Sequence, residues 1–143
     1  MAPVVTLTDN PNPQALEALT RLITRFNESA SQRPNDFRPL AILVSKPETG
    51  ETLGGLWGWT SFDHLHVDLL FLPERLRGSG LGTQLIRQAE EEAVRRGCVG
   101  AWLDTFSFQA RGFYERMGYS VFGTIEDYPP GHSRFFLKKR LAD

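Results

Sequence analysis

The chain has 143 residues, of which 41% are hydrophobic and 11% aromatic, enough for one domain with an apolar core. Its 16 Lys and Arg and 17 Asp and Glu residues give a net charge of −1, which argues against a general binder of nucleic acids or anionic membranes. One Cys excludes a disulfide framework and a cysteine-built metal site. No secretory signal or membrane-spanning apolar run is visible, so we expect one cytoplasmic domain over residues 1–143.

The first half of the chain predicts one helix and a meander of strands. A short strand is expected at residues 4–7. A helix should begin at Asn12-Pro13, because Asn caps helices well and Pro is tolerated in their first turn. The polar stretch 27–39 is expected to be a loop or a broken second helix. Three strands then follow closely, at residues 40–44, 52–61 and 64–72.

The second half alternates helices and strands. Its best amphipathic helix follows a glycine-rich turn and should end at Gly97. A strand at residues 99–106 leads into a helix at 108–117, which Ser107 is expected to cap. Strands at residues 119–125 and 133–139 flank a Tyr-Pro-Pro-Gly turn. This order predicts an α/β fold of the α+β type, with a mixed sheet and helices in one domain.

A glycine-rich turn joins the third meander strand to the amphipathic helix. Such a turn presents backbone N–H groups and the positive end of a helix to an anion. Its glycines leave room for a phosphate, and Arg77 adds a charged donor. A Walker loop is excluded because Gly82-Thr83 lacks the required Lys. The antiparallel meander before the turn argues against a dinucleotide fold. A flexible turn at a helix entry is the alternative.

Two segments resemble signatures of one enzyme superfamily. Arg77-x-x-Gly80-x-Gly82, between a strand and an amphipathic helix, resembles the pyrophosphate loop of the GNAT superfamily of acetyl-CoA-dependent N-acetyltransferases. The segment Phe113-Tyr114-Glu115-x-x-Gly118-Tyr119 resembles its second signature helix and the strand that follows. The order of elements matches over nearly the whole chain. The resemblance implies a mixed, mostly antiparallel sheet of about seven strands flanked by helices, with a splay between the fourth and fifth strands.

The same resemblance implies acetyl-CoA as cosubstrate, lying in the splay. No metal is expected, because two His residues at i, i+2 have no clear third ligand. Tyr114 matches the family's general acid, whose phenol faces the CoA sulfur; a packed core aromatic is the alternative. Ser107 stands where the family often has Asn. Strand backbone would pair with the pantetheine arm and loop amides would hold the pyrophosphate. The implied cofactor-binding residues are Leu70, Phe71, Leu72, Arg77, Gly78, Ser79, Gly80, Leu81, Gly82, Thr83 and Ser107.

The base that deprotonates the acceptor is sought on the third meander strand. There His66 and Asp68 alternate on one predicted face, which also carries Leu70 and Leu72. Some members of the family have Glu at the position of His66. His66 and Asp68, acting directly or through water, are therefore the candidate bases. A water chain alone, with both residues structural, is the alternative.

Candidate acceptor contacts lie in two places. Glycines inside the strand at residues 52–61 indicate a bulge, or close approach of another backbone or a ligand. Trp57 and Trp59 share one face of that strand and could wall an acceptor pocket. In the family the last two strands help frame the acceptor, which makes Asp127, Tyr128 and His132 candidate contacts. Core aromatics and a plain polar turn are the alternatives.

We therefore expect an N-acetyltransferase that moves an acetyl group from acetyl-CoA to a primary amine of a small molecule or peptide, by direct transfer in a ternary complex. A non-catalytic CoA-binding sensor or interaction module is the alternative function. A toxin-type or protein-directed acetyltransferase is a third hypothesis, and the net charge of −1 argues against a tRNA-acetylating toxin. No nucleic acid or membrane partner is expected, and the resemblance allows a homodimer.

Overall fold

The computed structural model describes residues 1–143, which divide into two compact units, Met1–Asn35 and Asp36–Asp143. The first unit holds helix α1 (Pro13–Ser31). In chain order, the second unit consists of β1 (Arg38–Ser45), β2 (Thr52–Ser61), β3 (His64–Phe71), a 3₁₀ turn (Glu74–Leu76), α2 (Leu81–Arg95), β4 (Gly100–Phe106), α3 (Arg111–Arg116), β5 (Ser120–Glu126) and β6 (Ser133–Arg140).

Helix α1 begins where its capping residues predict. The Asn12 side chain accepts a hydrogen bond from the Gln14 amide at 3.0 Å, and Pro13 occupies the first helical position. The helix then runs to Ser31 and ends where Gln32 adopts a φ of 59°. The prediction of a loop or a second helix from residue 27 is therefore wrong at residues 27–31, where α1 is continuous.

The strand predicted at residues 4–7 does not form. Val4, Val5 and Leu7 are 88–100% exposed and have no regular secondary structure. Their apolar, β-branched character favours extended backbone, but a strand needs a neighbour to pair its N–H and C=O groups. The sheet therefore has six strands, not the expected seven.

The second unit is built on a mixed, mostly antiparallel sheet, as predicted. Its strand order is β1-β2-β3-β4-β6-β5. Every neighbouring pair is antiparallel except β3 and β4, which are parallel and joined through α2. Counting without the absent first strand, the splay that was expected between strands four and five falls between β3 and β4.

One face of the sheet forms the core. The buried side chains of α2 pack against this face, which carries the fully buried leucines of β2, β3, β4 and β6. Tyr114 of α3 belongs to the same cluster. The buried residues of α2 are Leu85, Ile86, Ala89 and Ala93, and the strand leucines are Leu56, Leu65, Leu103 and Leu137.

Helix α3 is shorter than predicted and Ser107 does not cap it. Ala110 immediately precedes the helix. Ser107 instead ties the end of β4 to the start of β6: its amide donates to the Ser133 carbonyl at 2.8 Å, and its Oγ accepts from the Ser133 amide at 3.0 Å. Pairing with a neighbouring strand therefore takes the hydroxyl that a local capping rule assigns to the helix.

The glycines of β2 are explained by the sheet itself. A Cβ at Gly54 would collide with the Phe71 carbonyl of β3, and one at Gly58 with the His66 carbonyl. A Cβ at Gly55 would meet the Ile42 carbonyl of β1. The predicted close approach is therefore made by the backbones of the two adjacent strands.

Candidate active site

The central feature is a gap between β3 and β4. The two strands pair only from His64 opposite Gly100 to Val67 opposite Leu103. Beyond that point β3 continues to Phe71 paired with β2 alone, and β4 continues to Phe106 paired with β6 alone. Each strand therefore presents backbone N–H and C=O groups to the gap. An extended ligand can satisfy such groups by pairing as an added strand.

A β-bulge lies at the point where the gap opens. Trp57 of β2 pairs with Leu69 and Gly58 pairs with Val67, which leaves Asp68 without a partner on β2. Because strand side chains alternate, one extra residue reverses the pattern. His66 therefore lies on the sheet face opposite the core, and Leu70 packs against the core.

The bulge corrects the predicted face. His66 does not share a face with Leu70 and Leu72, which both pack against the core. It lies instead with Trp57, Trp59 and Trp102 on what we call the aromatic face of the sheet. Asp68 is 47% exposed, and its Oδ1 lies 3.8 Å from the Nε2 atom of His66.

His66 is enclosed by two indole rings. Its ring centroid lies 4.6 Å from that of Trp59 and 3.9 Å from that of Trp102, and the residue is 6% exposed. Its Nδ1 is buried without a hydrogen-bond partner. Burial lowers the pKa of His66 below its ordinary 6.5, although the carboxylates of Asp68 and Asp104 oppose this shift. The imidazole is therefore mainly neutral at pH 7 and able to accept a proton.

Tyr114 is a buried phenol with an unengaged hydroxyl. The residue is 7% exposed, and its ring lies 6.2 Å from that of Tyr119. Burial, and next the charge of Asp104, raises the pKa of Tyr114 to about 12. The phenol therefore stays protonated at physiological pH and can donate a hydrogen bond. Asp104 is the residue whose charge acts on both Tyr114 and His66.

Asp104 forms an ion pair that sequence analysis missed. Arg134 contacts its Oδ1 through Nη2 at 2.6 Å and through Nε at 2.8 Å. Nη1 of the same guanidinium donates to the Tyr128 hydroxyl at 3.0 Å. The guanidinium carbon lies 5.2 to 5.4 Å from the ring centroids of Phe106, Tyr128 and Phe136. Three aromatic rings, the hydroxyl of one of them and a carboxylate therefore hold this side chain in one place.

The glycine loop lies at the N-terminus of α2. Gly78 and Gly80 have φ values of 79° and 84°, and a Cβ at either would meet no protein atom. The backbone conformation therefore requires glycine at both positions, and the space beside each one is open. The Arg77 amide donates to the Glu74 carbonyl at 3.1 Å, whereas the amides of residues 78–83 donate to no backbone carbonyl.

The side chain of Arg77 is held at the edge of the loop. Its Nε donates to the Leu72 carbonyl at 2.8 Å, and its guanidinium carbon lies 5.8 Å from the centroid of the Phe71 ring. The Ser79 hydroxyl donates to the Leu76 carbonyl at 3.0 Å, which tightens the turn. The loop can therefore offer six amides, the positive end of α2 and one guanidinium to an anion.

The predicted acceptor residues divide into two groups. Trp57, 47% exposed, and Trp59 lie on the aromatic face, and the Trp59 ring makes tilted contacts with the rings of Phe37 and His66. Tyr128 lies at the Arg134 ion pair, where its hydroxyl accepts from the guanidinium, whereas His132 Nδ1 is 3.4 Å from the Ser107 hydroxyl. Asp127 precedes Tyr128 in the turn and adopts a φ of 54°.

Residues missed by sequence analysis cluster on β4 and β6. Trp102 and Asp104 are two residues apart on β4, and that spacing is the one available signal that they share a face. Arg134 lies 30 residues further along the chain, with no local motif. No three His, Cys, Asp or Glu side chains converge as metal ligands, and no helix is long and apolar enough to cross a bilayer.

A splayed mixed sheet with a glycine loop at a helix N-terminus is an acetyltransferase architecture, and comparisons with known proteins agree. The model of the acetyltransferase (GNAT) family matches residues 8–119. The chain is 45% identical over 107 residues to blasticidin-S acetyltransferase of Streptomyces morookaense, covering 73% of this chain and 79% of that protein. It is 41% identical over 119 residues to the acetyltransferase Atu2258 of Agrobacterium fabrum, covering 83% and 82%.

A solved structure extends the similarity to nearly the whole fold. The crystal structure of an acetyltransferase from Bacillus cereus superimposes with a TM-score of 0.80 at 34% identity, covering 94% of this chain and 97% of that one. The chain belongs to the GNAT acetyltransferase family.

Proposed function

We propose that this protein transfers an acetyl group from acetyl-CoA to a primary amine of a small molecule or peptide, directly within a ternary complex. One observation carries the proposal: the gap between β3 and β4 opens beside the neutral imidazole of His66 and the carboxylate of Asp68, and the charge of Asp104, across the same gap, acts on the protonated phenol of Tyr114. A proton donor and a proton acceptor at one backbone gap suit acyl transfer from a thioester to an amine.

The cofactor is proposed to lie along the gap. Backbone groups of Leu70, Phe71 and Leu72 would pair with the amides of the pantetheine arm, because the β3 edge has no strand partner there. The pyrophosphate would lie on the amides of residues 78–83, with the Arg77 guanidinium beside it. Ser107 lies at the far end of β4, where its hydroxyl is already shared with Ser133.

The proposed reaction needs two proton movements. The acceptor ammonium first loses a proton to His66 or Asp68, directly or through water, which frees its nitrogen lone pair. The amine nitrogen then attacks the thioester carbonyl, the new C–N bond forms and the C–S bond breaks. The electron pair of that bond goes to the sulfur, which the Tyr114 hydroxyl stabilises by a hydrogen bond, and the second proton lost by the amine nitrogen passes to the thiolate through this hydroxyl or water. Holding both reactants together can contribute about 7–11 kcal/mol.

A relative suggests the acceptor to test first. Blasticidin-S acetyltransferase is 45% identical to this chain, so we propose a small-molecule amine, with blasticidin S as the first candidate. The solvent-exposed indole rings of Trp57 and Trp102 and the carboxylate of Asp68 favour a positively charged acceptor.

Two measurements test the proposal. Calorimetric titration with acetyl-CoA should show binding at micromolar concentration, and thiol release should then depend on an added amine. Binding without thiol release for blasticidin S and a broad amine panel would favour the non-catalytic CoA sensor instead. No binding of acetyl-CoA would contradict the assignment of the glycine loop.

We further propose that residues 1–143 act as a single domain and that two copies associate. Along α1, five large apolar side chains recur at helical spacing and form one stripe, a pattern typical of an interaction surface. They are Leu16, Leu19, Leu22, Ile23 and Phe26. Light scattering after gel filtration should give twice the chain mass, and Leu19→Lys with Ile23→Lys should halve it. A monomeric wild-type protein would refute the dimer.

A further inference from the structure

Two carboxylates lie on opposite sides of the gap. Asp68 is the bulged residue of β3, where the parallel pairing stops, and Asp104 lies on β4 just beyond the last paired residue. Both carboxylates act electrostatically on His66, which pairs with Trp102 of β4 one position before the parallel pairing stops. The two charges are thus brought together by the fold, although the residues stand 36 positions apart in the sequence.

Arg134 fixes Asp104 without neutralising the site. Both of its close contacts are to the Oδ1 atom, at 2.6 and 2.8 Å. The three surrounding rings and the Tyr128 hydroxyl hold the guanidinium, so it cannot easily leave Asp104 for a bound ligand. With the Asp104–Arg134 pair neutral overall and His66 neutral, the charge of Asp68 leaves the site at −1.

A second observation points to a ligand at the same place. The His66 side chain is 7% exposed, and its buried Nδ1 has no hydrogen-bond partner. Its Nε2 faces Asp68 at 3.8 Å, beyond ordinary hydrogen-bond length. A polar side chain this deeply buried is normally fully satisfied. The exposed parts of Trp57 and Trp102, 47% and 36%, flank it with ring surface that attracts cations.

We propose that Asp68 and Asp104 together receive the ammonium group of the acceptor, and that the enzyme therefore selects amines with no carboxylate beside the amino group. This inference rests on the proposed acetyltransferase function. A free amino acid would bring its own carboxylate within a few ångströms of two aspartates, and like charges repel strongly in a partly desolvated site. An amine without a carboxylate brings only its positive charge to a site whose net charge is −1.

Matched acceptor pairs test the selection in the wild-type enzyme. Agmatine differs from arginine, and tyramine from tyrosine, by one carboxylate beside the amino group. Amine-dependent thiol release should give a kcat/KM at least about 100-fold higher for the decarboxylated member of each pair. An equal or higher value for the amino acids would overturn the inference and leave the acetyltransferase function intact. Absence of thiol release with every amine, despite acetyl-CoA binding, would instead remove the proposed function.

A variant tests the part played by Asp104. Asp104→Asn keeps the shape and should raise KM for the preferred amine about 10- to 100-fold, with KM for acetyl-CoA changed less than about twofold. Glu115→Gln is the control, because this carboxylate is 44% exposed on α3 and pairs with Arg111. An unchanged amine KM in Asp104→Asn would overturn the role of Asp104. If that variant fails to fold, the wild-type acceptor pairs still decide the inference.

Discussion

Replacement of Tyr114 by Phe separates the catalytic role of its hydroxyl from its packing. The ring of Tyr114 belongs to the core, and its raised pKa has burial and the charge of Asp104 as causes, with no hydrogen bond among them. Phe keeps the ring and removes only the oxygen. We therefore expect the free energy of unfolding to change by less than about 0.5 kcal/mol, because no hydrogen bond is lost.

The kinetic effect follows from the pKa of the phenol. A pKa of about 12 lies roughly 3.5 units above that of a thiol near 8.5, so complete proton transfer to the thiolate is uphill by about 5 kcal/mol. Tyr114 therefore acts mainly by a hydrogen bond that strengthens as negative charge develops on sulfur. Such a bond to a charged group contributes about 1.5–3 kcal/mol. We expect kcat to fall on the order of 10²-fold, with KM for acetyl-CoA little changed.

Tyr119 provides a matched control. It is 3% exposed, and its hydroxyl donates to Glu90 at 2.7 Å. Tyr119→Phe should therefore lose about 1–3 kcal/mol of stability and retain its kcat. Thermal unfolding and steady-state thiol release, measured on both variants, give the comparison. A Tyr114→Phe enzyme within threefold of the wild-type kcat would refute the reasoning.

Three further predictions concern the base, the bulge and the loop. Because burial lowers the pKa of His66, the pH profile of kcat/KM should show an apparent pKa below 6.5 on its acidic side. Asp68→Asn should lower this apparent pKa further, because the Asp68 charge raises the pKa of His66. An apparent pKa above 6.5 would contradict His66 as the base. Gly58→Ala should cost at least about 2 kcal/mol in chemical denaturation because its Cβ meets a β3 carbonyl, whereas Gly123→Ala, with only an ordinary contact, should cost under about 1 kcal/mol. Arg77→Gln should raise the Kd for acetyl-CoA about tenfold by calorimetry, with Arg77→Lys intermediate; an unchanged Kd would place the pyrophosphate elsewhere.

Elements with strong local signals could be predicted from the sequence. The cap at Asn12 fixed the start of α1, and turn residues on both sides gave β2 its correct bounds of Thr52–Ser61. The strand at residues 4–7 failed because a strand depends on a partner elsewhere in the chain. Ser107 failed for the same reason, since its hydroxyl is used by Ser133, 26 residues away.

The candidate site was predictable only where its residues lie in one segment. The glycine loop and Tyr114 stand in short motifs, and His66 and Asp68 were identified together. The sheet face on which His66 lies could not be predicted, because the bulge at Asp68 depends on the register of β2 against β3. Arg134 was missed because its partner Asp104 becomes its neighbour only through the pairing of β4 with β6.

The bulge at Asp68 also determines which changes of chain length β3 tolerates. A substitution at this position leaves the alternation of both strand halves intact. Deletion of Asp68 would move the side chains of one half of β3 to the opposite face of the sheet. Either His66 would then point into the core, or Leu70 would point away from it. We therefore expect β3 to accept many side chains at position 68 but no shorter strand. Homologous domains can thus vary the chemistry beside His66 one residue at a time, provided that the count of residues is kept.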